Sequence, residues 1–230
     1  MLYLISLIIL IPLYIVSIFF IDKLKKTKIV NIAFILLIYS LYLFVVIRML
    51  INVGVKDWNF QNTLPTANVS PFMFNLVFIS LFLPKKVKKV IYTLVCLLSF
   101  GMVIAGSFSF IGNYLRNYKF HLTIFFDTLA HFLLSLFGIY LIKTKQIKLT
   151  KKMVTISSLF IVVVAIIMLI LNLIFKTSFF GLNLYGNHNI YNMVLVKNKY
   201  LSTLIYFVGL NLVLIIGYFY QKIFFVQKRS

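Results

Sequence analysis

Acidic side chains are nearly missing: 3 Asp and Glu stand against 23 Lys and Arg in 230 residues, and only 11% of the chain is charged. In a soluble protein that imbalance would suggest nucleic acid. Here 63% of the residues are hydrophobic, more than one soluble domain can hide from water. A soluble enzyme and a nucleic-acid partner are both excluded, because the basic residues sit between apolar runs of membrane-spanning length. The single cysteine, Cys96, lies inside such a run, which rules out an internal disulfide and a thiolate cluster. Three scattered histidines with so few carboxylates do not supply the three or four ligands a metal needs. No metal or other cofactor is expected.

A spanning helix takes roughly 20 mostly apolar residues. The chain offers Met1 to Ile21, Ile29 to Asn52, Val90 to Ile111, His121 to Ile142, Val154 to Phe175 and Leu201 to Val226. A seventh candidate, from about Thr66 to Leu83, carries Asn68 and Asn75, has Pro71 near its start and is closed by Pro84. Charge decides whether to count it. With seven spans, and leaving aside Arg48 within the second span, sixteen basic residues fall on one side, in the groups 23–28, 85–89, 143–152 and 222–229, and six on the other. Removing the short span reassigns every later loop and gives nine against thirteen, which destroys the asymmetry of cytoplasmic loops. The fold class is therefore all-α, a polytopic membrane helix bundle of about seven helices, N-terminus outside and C-terminus cytoplasmic. Met1 to Ile21 has no basic n-region and no small-residue cleavage site, so it reads as a retained helix. Residues 1–230 form one integral membrane domain, with no soluble domain before or after the spans and no convincing internal repeat.

Ionisable groups inside a bilayer cost roughly 2.5 to 3.5 kcal/mol at the helix centre and are default functional candidates. The fifth span concentrates them. Asp127 and His131 are four residues apart and project from one helix face, His131 near mid-bilayer and Asp127 about 6 Å closer to the outer surface. A carboxylate one turn from an imidazole can orient the ring and raise its basicity. The same pair can equally hold neighbouring helices in register through hydrogen bonds. His121, beside Lys119, belongs more naturally to the headgroup level.

The outer loop from Lys56 to Ser70 feeds the short span and is unusually polar, with Asp57, Trp58, Asn62, Thr66, Asn68 and Ser70. Non-helical backbone at that depth survives beside a wet cavity, although a plain turn with a proline-started helix explains Pro65 and Pro71 as well. The last outer loop, Lys176 to Lys199, is rich in Asn and Tyr around His188 and reads as a cap on a cavity or as a variable surface loop. Asn172 in the sixth span must find hydrogen-bond partners across a helix interface. Arg48, near the outer end of the second span, can snorkel outward or pair with Asp57 or Asp127. Gly101 and Ala105 have the small-xxx-small spacing of close helix packing.

Leu64-Pro65 opening a short span, Ala130-His131 on the fifth span and Asn172 on the sixth give an order of features that resembles the YwaF family of bacterial integral membrane proteins. That family is similar to a eukaryotic transmembrane family implicated in acyl transfer between phospholipids. The likeness runs from about Asp57 to Lys222. It implies a seven-helix or similar bundle in the bacterial plasma membrane and, by way of the eukaryotic relatives, a cysteine and a histidine that carry the transfer. His131 occupies the place of the family's fifth-span histidine. After Leu64-Pro65, however, the run is Thr66-Ala67-Asn68-Val69-Ser70, with no thiol, and Ser178-Phe179 stands where the family tends toward Asn-Tyr. Acyl transfer would then need Thr66 or Ser70 in place of the thiol, and a hydroxyl requires a nearby base.

Three functions compete. One is a membrane-embedded, lipid-modifying acyltransferase with His131 as general base, Asp127 as its orienter, Thr66 or Ser70 as nucleophile, and Asn68, Asn172 and His121 contacting substrate. A second is a transporter or a solute- or lipid-binding protein that uses the same groups for recognition or proton coupling. The third is a non-catalytic scaffold for another membrane protein. Membrane lipids are the expected partners, a lipid is the expected substrate of the first, and Cys96 in its apolar setting reads as packing rather than nucleophile.

Overall fold

Inside hydrocarbon, every backbone N–H and C=O must be bonded within its own segment or against a neighbour, and a chain of apolar runs meets that demand as helices. The computed structural model describes residues 2–53, 69–117, 122–175 and 199–225. Among these are seven helices and no strand: α1 (Leu2–Phe20), α2 (Lys28–Val53), α3 (Val69–Ile79), α4 (Lys85–Asn117), α5 (Leu122–Lys143), α6 (Lys151–Phe175) and α7 (Lys199–Phe224). Five of them are long and apolar enough to cross a membrane, namely those containing Lys28–Arg48, Lys85–Phe108, Leu122–Lys143, Lys151–Phe175 and Thr203–Phe224. The protein is a polytopic helical bundle.

Local chemistry sets the helix ends. Thr27 caps α2 by accepting the amide of Val30 at 3.1 Å, and Thr150 caps α6 by accepting that of Met153 at 3.3 Å. The C-terminus of α5 closes with Lys145 at φ 56, its amide on the Ile142 carbonyl at 2.9 Å and that of Gln146 on the Leu141 carbonyl at 2.9 Å. That is a Schellman closure made by a lysine where glycine is the usual residue. The short helix is shorter than its hydropathy implied: α3 has 11 residues, about 16 Å of rise, roughly half of a hydrocarbon core. Pro71 sits in its first turn, and turn residues 80–83 before Pro84 complete the passage to α4.

The bundle is built around the antiparallel pair α4 and α5, with α1 and α2 against α5 and α3 against α2 and α4; α6 and α7 pack on α4 and on each other. The lysine-bearing ends converge. Asn31 and Gln146 exchange amide hydrogen bonds at 2.8 and 3.1 Å, the Tyr140 hydroxyl donates to the Lys25 carbonyl at 3.1 Å, and the Lys143 ammonium donates to the Ile18 carbonyl at 3.1 Å.

Glycines let backbones touch on both sides of α4. A Cβ on Gly138 of α5 would lie 2.8 Å from the Val95 carbonyl, and one on Gly217 of α7 would lie 1.7 Å from that of Leu97. Gly101, picked out by its spacing, contacts α7 at Val213, whereas Ala105 is exposed.

Candidate functional site

His131 lies on α5 with its side chain closed in, 6% exposed, while Asp127 one turn away is 29% exposed toward the α5 start. The histidine Nδ1 is 2.7 Å from the Asp127 backbone carbonyl and 3.6 Å from the Asp127 carboxylate. A carbonyl can only accept, so Nδ1 carries the hydrogen, and in the neutral ring the lone pair resides on Nε2. The sequence assigned the orienting role to the carboxylate; the nearer partner is the main chain of the same residue, with the carboxylate as a second, longer contact.

Two other helices touch this histidine. The Phe74 ring of α3 meets it edge to face with centroids 5.3 Å apart. Gly106 of α4 presses on its stem: a Cβ there would sit 3.0 Å from the His131 Cβ. Thr128 tightens the same seam by donating to the Gly106 carbonyl at 3.3 Å. From α2, Tyr42 packs on Phe74 with centroids 5.2 Å apart and lies within electrostatic reach of Asp127. Its hydroxyl accepts the Asn75 amide at 3.4 Å, and that amide is also held by the Pro71 carbonyl at 3.0 Å. An imidazole held through Nδ1, a carboxylate and, one ring further on, a phenol thus lie at one junction of α2, α3 and α5.

The remaining candidates are placed unequally. Ser70 is half-buried in the first turn of α3, four residues and so one turn before Phe74 on the same face, which puts it on the Asp127 side of the chamber. Thr66, Asn68 and His121 lie outside the described residues. Asn172 is fully buried on α6, which packs on α4 and α7. Ser158 bonds Asn211 across α6 and α7, and Val213 faces Gly101; carrying that register along the helices puts Asn172 about 15 Å outward of the His131 level. The structure therefore joins His131, Asp127 and the start of α3, and sets Asn172 apart.

Cys96 is fully buried, its thiol 3.4 Å from the Gly138 carbonyl, and stands ten residues inward of Gly106 along α4. That is about 15 Å from the His131 level. It cannot serve as nucleophile to this histidine. Among the described residues no three His, Cys, Asp or Glu side chains group to hold a metal ion. Sequence reasoning missed Tyr42, Phe74 and Gly106, whose roles depend on inter-helix register. It also missed the inner hydrogen bond of Tyr14 on α1 with Ser135 on α5, 2.6 Å long, although Ser135 follows His131 by four residues.

A family model, the TMEM164 family, matches residues 1–222. The chain belongs to the TMEM164 family. No curated protein matches it, and neither does any solved structure. As a member of this transmembrane family with five long apolar helices, the chain is a multi-pass membrane protein.

Proposed function

We propose that this TMEM164 family protein is a membrane-embedded acyltransferase acting on lipids, with His131 as general base. The reading draws on the YwaF-like order of Leu64-Pro65, Ala130-His131 and Asn172, and extends to a place in the bacterial plasma membrane with the lysine-bearing end cytoplasmic. The observation that supports it most is the commitment of His131 Nδ1 to the Asp127 carbonyl at 2.7 Å, which fixes the ring and leaves Nε2 as the proton acceptor in a walled chamber. In the proposed step Nε2 takes the proton of a hydroxyl, from Ser70, Thr66 or the acceptor lipid. The freed oxygen attacks the acyl ester carbon, the ester C–O bond of the donor breaks, and the proton passes to the departing alkoxide; where that oxygen belongs to Ser70 or Thr66, the acceptor hydroxyl then attacks the side-chain ester in the same way, its proton passing through Nε2 to the released side-chain oxygen. The Tyr42 hydroxyl and the Asp127 carboxylate line the space where charge shifts.

The test is lipid mass spectrometry on purified protein reconstituted with acyl-donor and acyl-acceptor phospholipids. Transfer that persists in wild type and disappears in His131→Ala supports the reading. No change in acyl-chain distribution with wild type, across donors and acceptors, removes it. The same polar groups serve a transporter, and the inward continuation of the α5 polar stripe to Ser135 and Tyr14 is the feature that favours that alternative. Uptake into vesicles that rises with a pH gradient, without acyl transfer, would replace the first reading by the second.

A further inference from the structure

At the lysine-bearing end, the turn between α1 and α2 is fastened to the turn between α5 and α6 without any carboxylate. Asn31 and Gln146 exchange their amide hydrogen bonds, the Tyr140 hydroxyl donates to the Lys25 carbonyl, and the Lys143 ammonium donates to the Ile18 carbonyl. These bonds gather five more lysines onto two touching turns: Lys25, Lys26 and Lys28 on the first, Lys145 and Lys148 on the second, all exposed. Their ammonium groups take no part in the fastening, and the sequence places a single acidic residue, Asp22, in either turn. One of the five is also held against its backbone preference. Lys145 keeps φ 56, a left-handed conformation that glycine adopts freely and lysine does not, and strain of that kind points to a role for the side chain that bears it.

Bare hydrocarbon lies directly beside these cations. Phe19 at the end of α1 is 72% exposed and Ile29 at the start of α2 is 77% exposed, with Leu24 open between them, and the Lys23 ammonium sits over the Phe20 ring at 4.6 Å. Cationic and apolar side chains thus meet within the same turn. A free phosphate or an acidic peptide would satisfy only the cations, whereas an anionic lipid brings a negative head and acyl chains together. We propose that the paired turns bind anionic phospholipids of the leaflet on that side, with Lys25, Lys26, Lys28, Lys145 and Lys148 on the headgroup phosphates and the acyl chains along Phe19 and Ile29. Each lysine beside a charged leaflet strengthens binding by about fivefold, and the attraction weakens as salt screens it. This surface stands apart from the acyl-transfer reading and asks nothing of His131.

Native mass spectrometry of protein equilibrated with phosphatidylglycerol and phosphatidylcholine of the same chains tests it. Wild type should retain phosphatidylglycerol in preference. Changing Lys25, Lys145 and Lys148 together to Gln should lower that preference by about tenfold or more. The matched triple change of Lys85, Lys86 and Lys89 to Gln, which removes the same charge from the exposed start of α4, should lower it much less. Equal unfolding temperatures in phosphatidylcholine establish that both variants are folded. Lys145→Gly separates charge from backbone: the unfolding temperature should hold or rise as the strain is relieved, while the preference falls about fivefold. No preference in wild type overturns the proposal. Equal losses in the two triple variants also overturn it, since the preference would then belong to the whole basic end, and displacement of phosphatidylglycerol by soluble polyglutamate at equal charge would replace the lipid by an acidic peptide.

Discussion

Two regions of the bundle, the α4–α7 seam and the α2–α3–α5 junction, are packed in different ways. Toward α7 the contact is backbone on backbone: Gly217 lies against the Leu97 carbonyl, and the Gln221 amide donates to the Cys96 carbonyl at 3.1 Å and to the Ser99 hydroxyl. Between α2, α3 and α5 the contacts are ring on ring, Tyr42 on Phe74 at 5.2 Å and Phe74 on His131 at 5.3 Å. The candidate chemistry sits where the packing is made of side chains.

Substitutions can break this contrast or sharpen it. The largest effect belongs to Gly217→Ala, whose Cβ has nowhere to go but into the Leu97 backbone; a loss of about 3 kcal/mol or more should appear as aggregation or a lowered unfolding temperature in detergent. Gly209→Ala, with no neighbour within 4 Å of its Cβ position, should leave stability intact or raise it by about 0.5–1 kcal/mol, the helix propensity of alanine over glycine.

Next comes chemistry. If the acyl-transfer reading holds, Asp127→Asn keeps the main-chain carbonyl that accepts from Nδ1 and should lower transfer by about tenfold, well short of the roughly 10²–10⁴-fold loss expected for His131→Ala, since general-base catalysis contributes about that much. Equal losses would mean that the carboxylate, not the carbonyl, fixes the ring. Tyr14→Phe removes the bond to Ser135 and should cost about 0.6–1.5 kcal/mol in chemical or thermal unfolding without altering the outer chamber. Lys145→Gly relieves the left-handed backbone at φ 56 and should raise stability by about 1 kcal/mol.

Hydropathy made the number and order of helices legible, because the bilayer demands length and apolarity and little else. Charge counting added the short span, and the folded chain does bring the lysine-bearing segments to one end. The ends of α3 were less legible: residues 80–83 are apolar enough to extend the span but form turns before Pro84. In the candidate site, Asp127 and His131 could be paired from spacing alone, since four residues fix a shared face on one helix. The ring's preference for the carbonyl over the carboxylate could not, because both belong to the same residue. Phe74, Tyr42 and Gly106 carry no signal of their own, as only the relative rotation of four helices brings them around one imidazole. Asn172 shows the converse: a polar residue in an apolar span advertises a partner but not which side of the bundle holds it.

The pinch at Val95 to Leu97, where Gly138 bears on α4 from one side and Gly217 from the other, gives the long helix a fulcrum.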